Sequence, residues 1–290
     1  MFWKKKKKSS GEKLVIFFAS DLHGSAICFK KFINGAEFYG ANCLIMGGDL
    51  TGKAVIPITE QPDGTFRGFQ LGAQITMKSQ DEVDEFIKRV NNQGFYPTVM
   101  TEAEFQAIKN DTEAQEKLFK KLVVDRVQEW ADFATKKLNG TDIPLITTPG
   151  NDDFFEIDEV LNRAPHVQYH EMEVTELRGH EILHCGGSTK TPWDTEREYT
   201  EEEYEARFAE LVPQVKNMSR CIFNVHVPPH GTVLDRCPKL DDNLQVVFDM
   251  GNPVSMHAGC ETLTRVIEEQ QPMLGIHGHI HEGRGTIKIG

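Results

Sequence analysis

The stretch LVIFFASDLHGSAICFKKFINGAEFYGANCLIMGGD, residues 14–49, predicts the fold class of this chain. It begins with one short apolar run, residues 14–19, and ends with a second, residues 43–46. Runs of this length without polar alternation are typical of strands that are buried on both faces. Residues 25–39, between the two runs, carry apolar side chains at helical spacing. Strand, helix and strand in this order predict a parallel βαβ unit, and therefore an α/β protein.

Further apolar runs predict the other strands of the core. They cover residues 144–148, 220–225 and 273–276, and we expect a last strand over residues 285–289. Residues 171–187 alternate in polarity around Arg178-Gly179, which predicts a β-hairpin. Thr200 and Glu203 have the spacing of a capping box, which predicts the start of an amphipathic helix over residues 200–215.

Residues 54–140 are longer than a compact core needs, and they predict an insertion. Residues 54–78 are rich in glycine and predict a small hairpin or an ordered loop. Residues 79–138 predict mainly helices, with a capping box at Thr101 and a stop signal at Asn139-Gly140. We therefore expect a helical insertion that forms a cap or a partner surface near the functional site.

Composition excludes several classes of function. Lys and Arg number 32 against 44 Asp and Glu, so the net charge is −12, and an acidic chain predicts no nucleic-acid partner. The longest apolar run, residues 14–19, is far shorter than the ~20 residues of a membrane-spanning helix. The six cysteines form no CxxC pair, which predicts reduced thiols in a cytoplasmic protein. Lys4 to Lys8 lie in a segment, residues 1–12, that we expect to be a disordered basic tail.

Polar side chains with metal-binding chemistry follow five of the predicted strands. In chain order they are Asp21, His23, Asp49, Asn151, His226, His279 and His281. Because ligands of α/β proteins bind beyond the carboxyl ends of the strands, we expect these side chains to meet at one site. Carboxylate, amide and imidazole donors suit Mn, Fe or Zn. Seven donors are too many for one ion with an open position, so the set predicts two divalent ions that share a carboxylate.

The motifs that contain these residues resemble those of the calcineurin-like metallophosphoesterase family. In order they read Asp21-Leu22-His23, Gly48-Asp49, Gly150-Asn151-Asp152-Asp153, His226 before Pro228-Pro229, and Gly278-His279-Ile280-His281. Each motif is weak alone, but five in this order are specific. The resemblance covers about residues 14–53 and 143–290. It implies a four-layer α/β/β/α sandwich, with residues 13–290 as one metallophosphoesterase domain interrupted by the insertion at about residues 54–140.

The resemblance also implies how the seven ligands divide between two metal ions. The first ion would be held by Asp21, His23 and His281. The second would be held by Asn151, His226 and His279. Asp49 would bridge the two ions. The implied activity is hydrolysis of a phosphoester small molecule by metal-activated water.

Two residues near these motifs carry further expectations about catalysis. The family's third motif usually has a histidine where this chain has Asp152, and that histidine is thought to protonate the leaving group or bind phosphate. Asp152 beside two cations would ionise and be a poor acid at neutral pH, which favours a phosphodiesterase over a phosphomonoesterase. His230, four residues after His226, is our candidate for a partial substitute.

Other functions compete with this interpretation. A non-catalytic protein-binding scaffold on a metallophosphoesterase fold is the main alternative, because the insertion and the replaced histidine suit it. A nuclease is disfavoured by the acidic balance and by the lack of an aromatic and basic stripe. The family also continues with at least one more strand after the last histidine pair, so the resemblance implies further chain beyond Gly290.

The stretch from His180 to His184 matches the HExxH pattern of zinc peptidases. That chemistry requires a helix that puts both histidines on one face. Here Gly179 precedes the stretch and Gly186-Gly187 follows it, within an alternating pattern. We therefore expect a strand of a hairpin and no peptidase site.

Overall fold

The computed structural model describes residues 13–290, so the basic tail predicted for residues 1–12 lies outside the described residues. The helices are α1 (Ala26–Tyr39), α2 (Gln80–Asn92), α3 (Glu102–Ile108), α4 (Thr112–Leu138), α5 (Glu156–Arg163), α6 (Glu201–Leu211) and α7 (Glu261–Gln270). The strands are β1 (Ile16–Ala19), β2 (Cys43–Met46), β3 (Val55–Glu60), β4 (Phe66–Gln70), β5 (Ala73–Met77), β6 (Tyr96–Thr101), β7 (Leu145–Thr147), β8 (Val167–Tyr169), β9 (Glu173–Leu177), β10 (His180–Cys185), β11 (Ser188–Thr189), β12 (Glu198–Tyr199), β13 (Cys221–Val225), β14 (Arg236–Pro238), β15 (Phe248–Asp249), β16 (Asn252–Pro253), β17 (Ser255–His257) and β18 (Leu274–Ile276).

Two four-stranded sheets form the centre of the protein. The first sheet has the order β1-β2-β7-β8, and all of its strands are parallel. The second sheet has the order β18-β13-β10-β9, in which β9 alone runs antiparallel. Parallel strands joined through helices confirm the α/β class predicted from residues 14–49. The four-layer sandwich stays a prediction.

The strand β2 shows why its sequence is apolar at every position. Leu44 and Met46 pack into a core that α1 and α4 also line. Cys43 and Ile45 point the other way, into a core that they share with residues of the second sheet. Because successive side chains of a strand alternate between its faces, burial on both faces requires a continuous apolar run. Each such fully buried side chain contributes about 1.5–3 kcal/mol to stability.

The insertion is only partly helical, which corrects the prediction for residues 79–138. It contains a third sheet of order β5-β4-β3-β6, and α2 packs against it. The strand β6 falls inside the region predicted as helices and pairs in parallel with β3 over six residues. Tyr96 and Met100 of β6 are buried there, and this tertiary pairing outweighs the local helical pattern. The hairpin expected within residues 54–78 is present as β4 and β5.

Two other predictions about element ends need correction. The helix expected to reach residue 215 ends at Leu211, and a short 3₁₀ turn that contains Pro213 follows it. Residues 285–289, expected as a last strand, form no strand in the described chain. Ile289 instead packs against the core on the outer face of the second sheet. The predicted hairpin around Arg178-Gly179 is present as β9 and β10.

Candidate metal centre

The predicted ligands lie just beyond the carboxyl ends of β1, β2, β7, β13 and β18. In chain order they are Asp21, His23, Asp49, Asn151, His226, His279 and His281. Three groups of potential ligand atoms lie within 4.8 Å of one another: Asp21, His23 and His281; Asp49, His226 and His279; and His23, Asp49 and Asp152. The first group is the set that the resemblance implies for one ion. The second group contains two of the three residues that the resemblance implies for the other ion, His226 and His279, together with the bridging Asp49.

The first group brings two imidazoles together beside a carboxylate. Nε2 of His23 lies 2.9 Å from Nε2 of His281. The same nitrogen of His281 lies 3.6 Å from Oδ1 of Asp21. Asp21 is held in place because its Oδ1 accepts the backbone N–H of His279 at 2.9 Å. Two imidazole nitrogens and a carboxylate oxygen that converge in this way are a donor set suited to Mn, Fe or Zn.

The imidazole of His226 is fixed in an orientation that leaves one nitrogen available. Nδ1 of His226 lies 2.7 Å from the carbonyl oxygen of Gly47, and a carbonyl can only accept a hydrogen bond. Nδ1 therefore carries a proton, and Nε2 is the nitrogen that can bind either a metal ion or a second proton. That Nε2 is buried and has no hydrogen-bond partner among the described residues, although Oδ2 of Asp49 lies 3.3 Å away. A metal-binding histidine is typically held by this kind of hydrogen bond on its other nitrogen.

Asn151 is also held so that one polar atom is left without a partner. Its Nδ2 donates to Oγ1 of Thr195 at 2.9 Å, and Thr195 in turn donates to Glu198. Its Oδ1 is buried and has no hydrogen-bond partner in the described part of the chain. An unsatisfied buried acceptor costs about 1–3 kcal/mol, so the arrangement suits a bound cation. Asn151 Oδ1 and His226 Nε2 are thus both available as ligand atoms for the second ion.

Asp49 lies between the two groups and is almost fully buried. Its Oδ2 is 3.3 Å from Nε2 of His226 and 3.8 Å from Nε2 of His23. Its Oδ1 accepts the backbone N–H of Asp152 at 2.9 Å. Burial alone would raise the pKa of Asp49, but His226 and His23 outweigh burial and lower it. An ionised carboxylate in this position can face two cations at once.

Four of the predicted ligands have left-handed backbone conformations. The φ angles are 58° at Asp21, 41° at His23, 50° at Asp49 and 70° at His279. Residues other than glycine rarely adopt this region, because the side chain approaches the backbone closely. Such conformations persist at functional sites where the surrounding structure holds them. Left-handed backbone at four of the seven predicted ligands is therefore typical of a functional site.

Two glycines allow the ligand loops to approach one another. A Cβ on Gly150 would lie 2.0 Å from Oδ1 of Asp49. A Cβ on Gly278 would lie 2.4 Å from Oδ2 of Asp21. Both distances are far below van der Waals contact, so no other residue fits at these two positions without moving a ligand.

The electrostatics of the cluster keep two imidazoles neutral and favour a positive charge on a third. Burial lowers the pKa of His23 and that of His279 to about 4. Burial works in the same direction at His226, but Asp49 outweighs it and raises the pKa of His226 to about 10. The negative potential at Asp49 therefore attracts a cation to Nε2 of His226. A proton and a divalent ion compete for that lone pair.

Asp152 lies in the cluster, but its acidity differs from the expectation. Its Oδ2 is 3.4 Å from Nδ1 of His23. Burial and the charge of Asp49 raise the pKa of Asp152 to about 6, whereas we expected it to ionise readily. That expectation assumed two adjacent cations, and the protein groups alone give the opposite shift. Its proposed catalytic role stays a prediction.

His230 lies with a different set of residues. Its Nδ1 is 3.6 Å from Oδ2 of Asp235, and its ring centroid is 5.6 Å from that of His257. It belongs to none of the three groups of potential ligands. Its role as a substitute for the replaced histidine stays a prediction.

Sequence reasoning missed two residues that hold the ligand loops together. Asp153 is fully buried and accepts the backbone N–H groups of Leu50, Thr51 and Gly150. Arg197 is nearly buried and donates from Nε to the carbonyl oxygen of Asp153 at 2.7 Å. Asp153 belongs to the third motif, so its position in the sequence could have indicated a role at the site. Arg197 lies far from every motif in the sequence, and nothing in the sequence indicated its role.

The HExxH pattern lies on β10 and not on a helix, as predicted. His184 is fully buried, and its Nδ1 lies 3.2 Å from Oγ1 of Thr148 and its Nε2 3.0 Å from Oγ1 of Thr175. Both of its nitrogens are thus used within the core. The geometry required for a zinc peptidase is absent from this described strand.

The fold and the cluster define an α/β protein whose carboxylates and histidines could hold two divalent ions. No family model matches the chain. An uncharacterized protein of Methanocaldococcus jannaschii, MJ1162, is 28% identical over 170 residues, which cover 58% of this chain and 66% of that protein. The match therefore spans just under two thirds of that relative. A solved crystal structure superposes with a TM-score of 0.52 at 15% identity, over 95% of this chain and 86% of its own, and shows a similar fold.

No helix within residues 13–290 combines the length and the apolar character that crossing a membrane requires.

Proposed function

We propose that this chain is a dinuclear metal-dependent phosphoesterase of the calcineurin-like type, and that it hydrolyses a phosphodiester. The observation that carries the proposal is the pair of buried, unpartnered ligand atoms, His226 Nε2 and Asn151 Oδ1, in a site centred on Asp49. Buried polar atoms are normally hydrogen-bonded, and free ones at the ends of parallel strands suit bound cations.

The residues divide into two sets of metal ligands around a shared carboxylate. Asp21, His23 and His281 would hold one ion, Asn151, His226 and His279 would hold the other, and Asp49 would contact both. Mn, Fe and Zn all suit these donors. Two such ions, when bound, supply activation of water and polarisation of the phosphoryl group.

The chain itself orients the donors, and burial keeps two of the imidazoles neutral. The carbonyl of Gly47 keeps the proton of His226 on Nδ1, so that Nε2 points into the site. Thr195 holds the amide of Asn151 so that Oδ1, and not Nδ2, is free. Burial keeps His23 and His279 neutral at physiological pH, which is the form that binds a metal. These groups are ordered before a substrate arrives.

A phosphodiester suits the site better than a phosphomonoester because of Asp152. The resemblance implies an imidazole at this position as a proton donor to the leaving group. With a pKa of about 6, the carboxyl group of Asp152 is mostly ionised at neutral pH and is then a poor donor, so the reaction depends on a leaving group that departs without strong protonation. An aryl phosphodiester has such a leaving group.

The experiment is hydrolysis of an aryl phosphodiester and of the matching monoester in the presence of Mn²⁺. The wild-type protein is compared with Asp49→Ala and with Asp132→Ala, an exposed aspartate of α4 away from the cluster. We expect diesterase activity in the wild type and in Asp132→Ala, and at least a 100-fold loss of kcat/KM in Asp49→Ala.

Two outcomes would contradict the proposal. Equal activity in Asp49→Ala and the wild type would place the reaction elsewhere. No activity on either substrate, in wild-type protein that is folded and carries metal, would favour the non-catalytic scaffold.

A further inference from the structure

Two histidines share a buried carboxylate away from the predicted metal ligands. Asp235 is fully buried and accepts the backbone N–H groups of Gly231, Thr232 and Gly259 at 2.9–3.1 Å. Its Oδ1 also accepts Nδ1–H of His257 at 2.7 Å. These four hydrogen bonds satisfy the carboxylate and lock the loop around it. The proton of His257 is therefore on Nδ1, and its Nε2 is free.

The two imidazole rings are partly exposed to solvent, and Nδ1 of each ring lies near the carboxylate of Asp235. The side chain of His257 is 40% exposed and that of His230 is 36% exposed. Their ring centroids are 5.6 Å apart, with His230 Nδ1 3.6 Å from the same carboxylate. A group that approaches from solvent would meet both imidazoles at once. Asp235 thus acts as the support for a small, preorganised surface.

Arg236 adds a permanent positive charge to this surface. It pairs directly with His257 across the β14–β17 ladder, and directly opposite residues of an antiparallel pair project from the same face. Arg236 is exposed, and its guanidinium forms no hydrogen bond or ion pair with other side chains among residues 13–290. In a protein with a net charge of −12, an exposed arginine of this kind is a candidate contact for an anion. A guanidinium group suits a phosphate or another oxyanion, and the neighbouring imidazole rings can share hydrogen bonds with the same ligand.

The loop that carries the cluster is connected to two of the predicted metal ligands. His230 follows His226, at the end of β13, by only four residues. Leu234, next to Asp235, lies against Gly283, which follows the last ligand, His281, by two residues: a Cβ on Gly283 would be 1.9 Å from the carbonyl oxygen of Leu234. The loop that carries the cluster therefore begins close to His226 in the chain and packs against the segment that follows His281.

We propose that His230, Arg236 and His257 form an anion subsite that binds a second phosphate group of the substrate. The subsite would recognise a phosphodiester that carries an additional phosphate on one of its alcohols. Its part in hydrolysis rests on the proposed function, whereas its ability to bind phosphate does not. His230 thereby becomes a substrate-binding residue in addition to its predicted role in proton transfer.

The test separates the subsite from the metal centre. Binding of inorganic phosphate to the full chain, treated with EDTA, is measured by calorimetry for the wild type, Arg236→Gln and His257→Gln. Arg163→Gln, an exposed arginine on α5, is the matched control. We expect both subsite variants to bind at least tenfold more weakly than the wild type and the control. All three substituted side chains are exposed enough to be replaced without loss of folding.

Kinetics give the second measurement. For an aryl phosphodiester with an additional phosphate, we expect Arg236→Gln and His257→Gln to raise KM at least tenfold with little change in kcat. For the same diester without that phosphate, KM should stay at the wild-type value. A defect in folding or in metal binding would affect both substrates equally.

Each outcome has a distinct meaning. Phosphate binding that is equal in all variants, or absent from the EDTA-treated wild type, would overturn the subsite even if hydrolysis is observed. Phosphate binding that depends on Arg236 and His257, in a protein without phosphoesterase activity, would support the subsite and contradict the proposed function. An equal rise in KM for both substrates would overturn the assignment of these residues to the second phosphate.

Discussion

His184 is buried with both ring nitrogens hydrogen-bonded, and its burial makes the free energy of unfolding depend on pH. It has no exposed surface, and burial, followed by the charge of His170, lowers its pKa to about 3 from the ordinary value of 6.5. In the unfolded chain the imidazole takes up a proton below pH ~6.5, but in the folded chain it does so only near pH 3. Its contribution to stability is therefore complete above pH 6.5 and is lost as the pH falls from 6.5 towards 3.

The variant His184→Gln tests this prediction. We expect the difference in free energy of unfolding between wild type and variant to be constant above pH 6.5. At pH 4.5 the difference should be smaller by about 2–3 kcal/mol, because the wild type alone loses stability through this group. Urea unfolding of both proteins at several pH values measures this difference in free energy. A difference that is the same at pH 4.5 and 7.5 would contradict the prediction.

At the scale of residues, the sequence predicts which side chains meet but not how they are held. The ligands could be found because each follows a buried strand, and parallel strands deliver their carboxyl ends to one edge. The left-handed backbone at Asp21 and Asp49 could not be foreseen, since neither residue type requires it. The support of His257 by Asp235 was also missed, because the two residues are 22 positions apart and carry no shared motif.

The start of α6 illustrates an element whose boundary follows from local chemistry. Oγ1 of Thr200 accepts the N–H of Glu203, and the side chain of Glu203 accepts the N–H of Thr200. This capping box was predicted from the sequence and is confirmed. The helix then buries Tyr204, Phe208 and Leu211 against the second sheet.

Replacing the cap should weaken the protein by a defined amount. We expect Thr200→Ala to lower the free energy of unfolding by about 1 kcal/mol, because the backbone N–H of Glu203 at the helix start loses its acceptor. Thr200→Ser keeps a hydroxyl in the same place and should change stability by only a few tenths of a kcal/mol. Both are measured by urea unfolding at pH 7.5. A loss of equal size in the two variants would mean that the methyl group, and not the cap, is responsible.

The strand β6 illustrates an element that the sequence does not determine. Its residues lie between two helices, and their local pattern is compatible with either structure. It forms a strand because β3 offers a parallel partner from Val55 to Glu60, which lies 41 residues earlier in the chain. Pairing of this kind depends on the tertiary structure, so short apolar runs remain ambiguous when read locally. The run over residues 285–289 is the converse case: it has strand-like residues but finds no partner strand among those described.

At the scale of the whole molecule, the insertion supports the loops that carry the metal ligands. The hydroxyl of Tyr96 accepts the backbone N–H of Gly52 at 2.7 Å, close to Asp49 in sequence. Nη1 of Arg126 donates to the carbonyl oxygen of Gly24, next to His23. The sequence predicted an insertion near the site, and these contacts place parts of it against the ligand loops.

Because the insertion is hydrogen-bonded to the loops that carry the predicted ligands, we expect a bound metal ion to stabilise the whole fold. Asp21, Asp49 and Asp152 converge within an acidic protein, and His226 Nε2 and Asn151 Oδ1 are buried without partners. A cation that binds the folded chain alone stabilises it by about 2.7 kcal/mol at a concentration of 100 times its Kd. For a chain of this size, we expect Mn²⁺ to raise Tm by roughly 5–10 °C after EDTA treatment.

The variant Asp49→Ala should lose most of this rise in Tm, because it removes the carboxylate shared by both groups of ligands. Asp132→Ala, on the exposed face of α4, should keep it. Differential scanning calorimetry at pH 7.5, with and without Mn²⁺, measures the effect independently of any enzymatic activity. A rise in Tm of equal size in Asp49→Ala would mean that Mn²⁺ binds elsewhere on the acidic surface. A rise confined to proteins that retain Asp49 would locate the ion at the strand ends, because Asp49→Ala differs from the wild type only in this carboxylate.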